Sequence, residues 1–208
     1  MILIGQYDSP FVRRVGVALR LYGMAFEHRP WSVFADAEAI RALNPMMRVP
    51  TLVLDDGFVL TDSHMILDHL DHLVNKKVVM FPRHEPARSR ALKVATLGTG
   101  LAEKAVSLFY EKALHQVTSA TWEARCVTQI GSVLTALEVD RAARDGPWWF
   151  GERIGHADIA VACAWRFVAE AHMEVVDLGP YPALAAHAAA CEALPVFGEI
   201  SQVFQPPA

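Results

Sequence analysis

The sequence has few cysteines, no excess of basic charge and no long apolar run. Cys126, Cys163 and Cys191 are the three cysteines in 208 residues, and they lie far apart among alanines and valines. That pattern suits reduced, buried thiols and excludes a disulfide framework, and no redox or metal role is assigned to them. Net charge is −4 with the basic residues dispersed, so the electrostatic footprint of a nucleic-acid or anionic-membrane partner is missing. The most apolar helical stretches, such as ADIAVACAW, break at charged residues well short of the roughly 18 apolar residues a membrane span needs. The opening MILIGQYDSP has neither a basic n-region nor an apolar core of signal-peptide length and reads as a short buried strand. The expectation is a cytoplasmic protein without nucleic-acid or membrane partners.

What is present is core. Hydrophobic residues make up 53% of the chain and charged residues 20%, enough burial to offset chain entropy. The first seventy-five or so residues alternate in character. An apolar run over 1–5 precedes a helical pattern from Phe11 to Tyr22, closed by Gly23, and a strand-like piece follows around Phe26 to Trp31. Val12, Val15, Leu19 and Tyr22 form the inward stripe of that helix, with Arg13, Arg14 and Arg20 mostly off it. A second helix near Ala35 to Leu43 leads to VPTLVLDDGFVLTDS, where Asp56-Gly57 signals a hairpin. A helix from Ser63 to Val74 then points Ile66, Leu70, Leu73 and Val74 inward. The order is βαβ followed by ββα. Beyond the Pro-punctuated Phe81 to Pro86 no convincing strand appears, and alanine-rich helical patterns run to the tail. The reading is an α/β domain over 1–77 and an all-helical domain over 86–208.

Three short segments carry chemical potential, each beside an ordinary structural role. Ser9-Pro10 reads as an N-cap with Pro at the first helical position. The same place offers free N–H groups and a positive dipole end that favour an anion such as a thiolate. Arg13, at i+4, adds positive charge there. Val49-Pro50 opens an edge strand if trans; if cis, it turns the Val49 N–H and C=O toward solvent, free to pair with a peptide-like ligand. Asp62-Ser63 is a helix cap whose N–H groups and hydroxyl also suit a carboxylate. His64, Asp68 and His72 share a helix face, but no ligand from a third segment accompanies them, so no metal is assigned.

SPFVRRVGVAL, NPMMRVPTLV and LTDSHMILDHL, followed by GERIGHADIAVACA and YPALAAH, occur in an order and spacing that resembles the cytosolic glutathione S-transferases, especially bacterial serine-type members. The resemblance spans nearly the whole chain. It implies a thioredoxin-like N-terminal domain joined to an all-α C-terminal domain, with glutathione as co-substrate and no metal. It puts Ser9 where the hydroxyl stabilises glutathione thiolate; with no Cys at 9 or 12, conjugation or isomerisation is preferred over dithiol reduction. Tyr7 is the rival for that role. The resemblance further assigns glutathione contacts to Phe11, Arg48, Val49, Pro50, Asp62 and Ser63. Arg48 would meet the glycyl carboxylate and Asp62 the α-ammonium. Asp62 is shorter than the Glu or Gln of many relatives, and Thr99 stands near where bacterial relatives often carry an acid. For a small electrophile it implies a second pocket that includes Val106, Phe109, Tyr110 and Trp165. GERIGHAD resembles the capping box of the core helix, with Gly155 in place of the usual Ser or Thr and Asp158 structural. A homodimer is implied, with each N-terminal domain paired to the partner's helical domain. Three activities stay open at this point: transfer to an electrophile, glutathione binding with little turnover, and glutathione-dependent isomerase or peroxidase chemistry.

Overall fold

The computed structural model describes residues 1–205. The chain forms two compact units, the first from residues 1–80 together with Pro195–Val203 and the second from residues 81–194 with the chain from Phe204.

In the first unit, β1 (Ile2–Ile4), α1 (Pro10–Leu21) and β2 (Glu27–Arg29) precede α2 (Ala37–Leu43), β3 (Thr51–Val53), β4 (Val59–Thr61) and α3 (Ser63–Leu73). The sheet order is β2-β1-β3-β4. β1 runs parallel to β2 with Ile2 opposite Glu27, and antiparallel to β3 with Ile4 opposite Thr51. The Asp56-Gly57 turn joins β3 to β4, with Thr51 opposite Thr61. This βαβ–ββα succession is the thioredoxin-like arrangement. Its core is Leu3, Ile4, Val12, Val15, Leu19, Leu52, Ile66 and Leu70, all fully buried, each contributing about 1.5–3 kcal/mol of transfer free energy.

Local chemistry sets the ends of α1. Ser9 is its N-cap, accepting from the Val12 N–H, and Pro10 takes the first turn, where its missing donor costs nothing. Gly23 ends it at φ +66°, and the Met24 N–H returns to the Leu19 carbonyl at 2.9 Å, closing the last turn. The Tyr22 hydroxyl donates to Asp71 and accepts from the Met80 N–H, tying α1 to α3 and to the end of this segment.

Two sequence expectations are corrected here. Arg13 and Arg14 do not lie on a solvated face; they are 2% and 1% exposed. The tail segment α8 (Pro195–Glu199) packs on α1, and Arg13 is consumed by it: Nε donates to the Ile200 carbonyl at 2.8 Å and Nη2 to that of Phe197 at 2.9 Å. Leu73, read as inward, is 56% exposed because α3 ends there and no later element of the unit covers it.

The second unit contains α4 (Ala87–Leu114), α5 (Ala120–Ala142), α6 (His156–Ala171) and α7 (Pro182–Glu192). α6 is buried without interruption from His156 to Ala164, as its lack of a polar face requires. It lies so close to α4 that a Cβ on Gly98 would sit 3.0 Å from the backbone of Ala160 and Val161, so glycine sets that approach. α7 has Pro182 at its start, and Glu138 of α5 accepts from the free N–H groups of Ala183 and Leu184, both at 2.9 Å.

Asp158 holds the entry to α6. Its Oδ2 accepts from the Gly155 N–H and its Oδ1 from the Trp149 N–H, each at 2.8 Å. Gly155 has no side chain to return a bond, so only the acidic half of a capping box operates. Burial pushes the Asp158 carboxyl up to about 6. His187 Nε2 lies 3.6 Å from Oδ1, and burial takes that imidazole down to about 4. Among the described residues no helix is long and apolar enough to cross a membrane.

Candidate active site

The register of the sheet brings three separate segments to one end of the first unit. Ile4 opposite Thr51 places the turn after β1 beside the residues that precede β3, and Thr51 opposite Thr61 places the start of α3 next along. Gly5 is where the first two meet. A Cβ there would lie 2.7 Å from the Val49 Cβ and 2.5 Å from a methyl of Val12, and its φ of +123° suits glycine alone. Ser9, Val49 and Ser63 therefore belong to one neighbourhood, though they are far apart in sequence.

Ser9 ends the turn from Gly5, its own N–H donating to the Gln6 carbonyl at 3.2 Å. Its Oγ accepts from the Val12 N–H over a long 3.4 Å. As acceptor in that bond the hydroxyl keeps its proton for another partner. Phe11 is half-buried one residue into α1. Tyr7, the rival, is 9% exposed, and its ring stacks on His28 with centroids 3.8 Å apart. Burial pushes its phenol up to about 12, against the influence of Arg20, so it stays a neutral hydroxyl at physiological pH.

The Val49–Pro50 peptide is cis. Among the described residues no hydrogen bond is made by the Val49 N–H or to its carbonyl. The loop before it is held by Asn44, which is fully buried: Nδ2 donates to the Arg48 carbonyl at 2.8 Å and to Thr51 Oγ1 at 3.1 Å, and Oδ1 accepts from the Met46 N–H at 3.0 Å. Thr51 Oγ1 donates to the same Arg48 carbonyl at 3.0 Å. Met47 takes a left-handed φ of +49° inside this loop. The Arg48 side chain is exposed.

Asp62 caps α3, accepting from the His64 N–H at 2.8 Å, and does so at φ +67°. Such a conformation in a non-glycine residue costs on the order of 1–3 kcal/mol and collects at ligand sites. Ser63 is 3% exposed, and the buried Arg14 donates to its Oγ from Nη1 at 3.3 Å. A full positive charge thus lies directly behind the first residue of α3 and adds to the dipole there. Sequence reading missed Arg14 and Asn44. Nothing in the pattern signalled the arginine; the asparagine stands before Pro45, where it reads as a turn former.

The other expected positions are placed as follows. The Thr99 hydroxyl bonds back to the Ala95 and Thr96 carbonyls, both at 3.2 Å. Val106 and Tyr110 follow one another on a face of α4, where Phe109 joins Phe167 and Phe204 in an edge-to-face cluster. Trp165 instead lines a groove of about 440 Å³ between α6 and α7, with Arg166, Ala169 and Ala188, which neither Val106 nor Tyr110 reaches. His72 Nδ1 lies 2.7 Å from the Asp68 carbonyl. Among the described residues no group of three His, Cys, Asp or Glu side chains is arranged to hold a metal ion.

The first unit is thus thioredoxin-like, with a hydroxyl at the first helix N-terminus, a cis-proline turn with unpaired main chain and a capped, positively backed helix start. The comparisons name the family. Residues 3–77 match the model of the glutathione S-transferase N-terminal domain and residues 120–190 that of its C-terminal domain. The chain is 29% identical over 168 residues to the GST-like protein YibF of Escherichia coli (strain K12), covering 79% of this chain and 80% of that one. It is 27% identical over 188 residues to maleylacetoacetate isomerase of Rattus norvegicus, covering 88% and 83%. A glutathione S-transferase of Methylobacterium radiotolerans, solved in complex with glutathione sulfonate, superposes with a TM-score of 0.89 at 25% identity over 100% of this chain and 98% of that one. The chain belongs to the glutathione S-transferase family of glutathione-dependent transferases.

Proposed function

We propose that the first unit binds glutathione and that the Ser9 hydroxyl holds its sulfur as the thiolate for attack on a small hydrophobic electrophile. The observation that carries this is the meeting at Gly5 of the Ser9 turn and the unpaired Val49 segment, with the Ser63 helix start following the neighbouring strand β4. Each part of the tripeptide has a partner there. The Val49 N–H and C=O pair with the cysteinyl unit as a strand edge would. Ser63 and the N–H groups of α3 hold the γ-glutamyl carboxylate with Arg14 behind them, and Asp62 faces the α-ammonium. Arg48 meets the glycyl carboxylate, and Phe11 covers the thiol end.

In conjugation the thiolate forms a carbon–sulfur bond and the electrophile loses its leaving group, such as halide, with the bonding pair. A hydroxyl that donates to sulfur lowers the thiol pKa and raises the attacking fraction at neutral pH. This is detoxification chemistry, placed in the cytoplasm. Similarity to the rat maleylacetoacetate isomerase favours a second reading. In it the same thiolate adds to a conjugated double bond and leaves again after rotation, so that glutathione is regenerated.

Calorimetry with glutathione, together with the conjugation rate on an aryl halide, tests the proposal. Heat of binding and measurable turnover are expected. No heat at millimolar glutathione overturns the site; binding without turnover on aryl halides or conjugated cis-alkenes overturns the enzymatic reading and leaves a binding module.

Ser63→Ala is expected to weaken glutathione binding by about 1.5–3 kcal/mol, near 10- to 100-fold in Kd, because it removes a donor to a charged group. The apo variant keeps the Asp62 cap of α3 and should lose only the stability that follows from taking an acceptor away from the buried Arg14. A fall in stability with unchanged affinity would show that the hydroxyl serves only the Arg14 contact.

We also propose an isologous homodimer, the commonest assembly. The exposed apolar side chains of Phe58, in the turn before β4, and of Met65 and Leu73 on α3 supply the contact surface. Sedimentation at micromolar protein should show a species of twice the 23.0 kDa chain mass; a 23.0 kDa species alone refutes it.

A further inference from the structure

The tail of the chain reaches the turn that carries Ser9. Gln202 Oε1 accepts from the Tyr7 N–H at 2.7 Å, across 195 residues of sequence. The rest of that turn rests on β2: the Gly5 N–H donates to the Arg29 carbonyl at 2.9 Å, His28 Nε2 lies 2.8 Å from the Gly5 carbonyl, and the Tyr7 ring stacks on His28. Between Gly5 and Ser9, the Tyr7 amide is the donor that the tail takes up.

The tail is placed firmly enough to act as a support. Arg13, Gly16 and Arg20 lie on one face of α1, at helical spacing of three and four. Arg13 binds the Phe197 and Ile200 carbonyls and stands over the Phe197 ring at 5.2 Å. Gly16 leaves room for Ile200, whose Cγ2 would be 2.8 Å from an added Cβ. Arg20 pairs with Glu199 at 2.7 Å. The helix that Ser9 caps therefore carries the tail, and the tail in turn holds the peptide two residues before Ser9.

We propose that Gln202 is a positioning residue: by fixing the Tyr7 peptide it sets the direction of the Ser9 hydroxyl toward glutathione sulfur. This rests on the reading that Ser9 holds the thiolate. The hydroxyl is only loosely capped, at 3.4 Å from the Val12 N–H, so its aim depends on the backbone of the turn. An error of aim weakens a hydrogen bond to sulfur long before it disturbs binding of the rest of the tripeptide, whose partners lie in the loop before β3 and at the start of α3.

The test compares Gln202→Ala, Gln202→Glu, Ser9→Ala and the double variant in the full chain. The readouts are kcat on an aryl halide, KM for glutathione and the pKa of the bound thiol from thiolate absorbance. Gln202→Ala should lower kcat about tenfold and raise the bound thiol pKa, with KM changed less than about twofold, the scale of a small misplacement rather than a lost group. Gln202→Glu keeps an oxygen acceptor in the same place and should retain most of the rate. Because Gln202 acts through Ser9, the double variant should be no slower than Ser9→Ala. A lower melting temperature with unchanged kcat and thiol pKa makes Gln202 a structural tie and overturns the proposal; additive losses in the double variant do the same. If Ser9→Ala alone leaves rate and thiol pKa unchanged, the Ser9 reading fails and takes this one with it. If Ser9→Ala is slow while Gln202→Ala matches the wild type, only the Gln202 proposal fails.

Discussion

Ser9→Ala is expected to cut kcat for conjugation by about 100-fold or more while leaving glutathione affinity nearly unchanged, the usual pattern when one hydrogen bond to an anion at the reacting centre is lost. The separation follows from where the contacts lie. On the proposed site, affinity would come from the Val49 main chain and the start of α3, whereas the thiolate would have Ser9 as its donor. The bound thiol pKa should rise in step with the fall in rate. Loss of the cap to Val12 adds a stability cost of about 1 kcal/mol at most, readable from thermal melts and too small to explain the rate. Ser9→Cys should lose conjugation and gain thiol–disulfide exchange, because a thiol at a helix N-terminus is itself partly ionised. Full conjugation rate in Ser9→Ala would reduce Ser9 to an N-cap. The Tyr7 hydroxyl or a main-chain N–H near Phe11 would then be the donor to test.

Asp158→Ala should be the most destabilising single change in the second unit, at about 3–5 kcal/mol, with no direct effect on the thiol site. It leaves the buried Trp149 N–H and the half-buried Gly155 N–H without acceptors, and a buried orphan costs about 1–3 kcal/mol. Its pH dependence is distinctive. Asp158 is raised to about 6 by burial, so its charge costs stability at neutral pH, and that cost is relieved as pH falls through 6 toward its unfolded value. His187 runs the other way. Held neutral to about 4, first by burial and then by the charge of Arg141, it costs stability once the unfolded imidazole takes a proton below about 6.5. Cys191 Sγ at 3.7 Å and the Trp148 and Trp149 rings complete its surroundings. Between about pH 4 and 6 the folded pair and the unfolded pair each hold one proton, on Asp158 in one and on His187 in the other, so the two contributions nearly cancel. Removing Asp158 removes one side of the balance. The variant should therefore lose up to about 3 kcal/mol more than the wild type on acidification from pH 6.5 to 4, measured by denaturant titration at several pH values. Parallel profiles for the two proteins would refute the pairing.

Much of the fold was legible because it rests on short-range rules. Ser9-Pro10 and Asp62-Ser63 begin helices, Gly23 ends one and Asp56-Gly57 turns a hairpin, each through atoms within a few residues of one another. The site segments were legible for the same reason, since the groups a ligand needs are those that caps and turns leave exposed. What escaped reading depends on distant partners. Arg13 was assigned to a charged face near Ser9, but its acceptors lie 184 and 187 residues away. Arg14 looked like its equal and is instead bound to Ser63, 49 residues on. Asn44 has near partners, yet nothing in the string NPMMRVP distinguishes a turn-forming asparagine from one that supports an unpaired main chain. Half of the Asp158 role was visible in GERIGHAD; the Trp149 amide it also accepts from was not.

The first unit is discontinuous in sequence, with Pro195–Val203 as its final piece, and this has a consequence for synthesis. A ribosome delivers residues in order, at roughly 5–20 per second. The half of the protein made first must therefore wait for the whole of the helical unit to emerge before Arg13 receives its two carbonyls and Gly16 its isoleucine. Until then the nascent unit exposes the α1 face that the tail will cover, with a guanidinium among apolar neighbours. Its completion therefore follows synthesis of the helical unit.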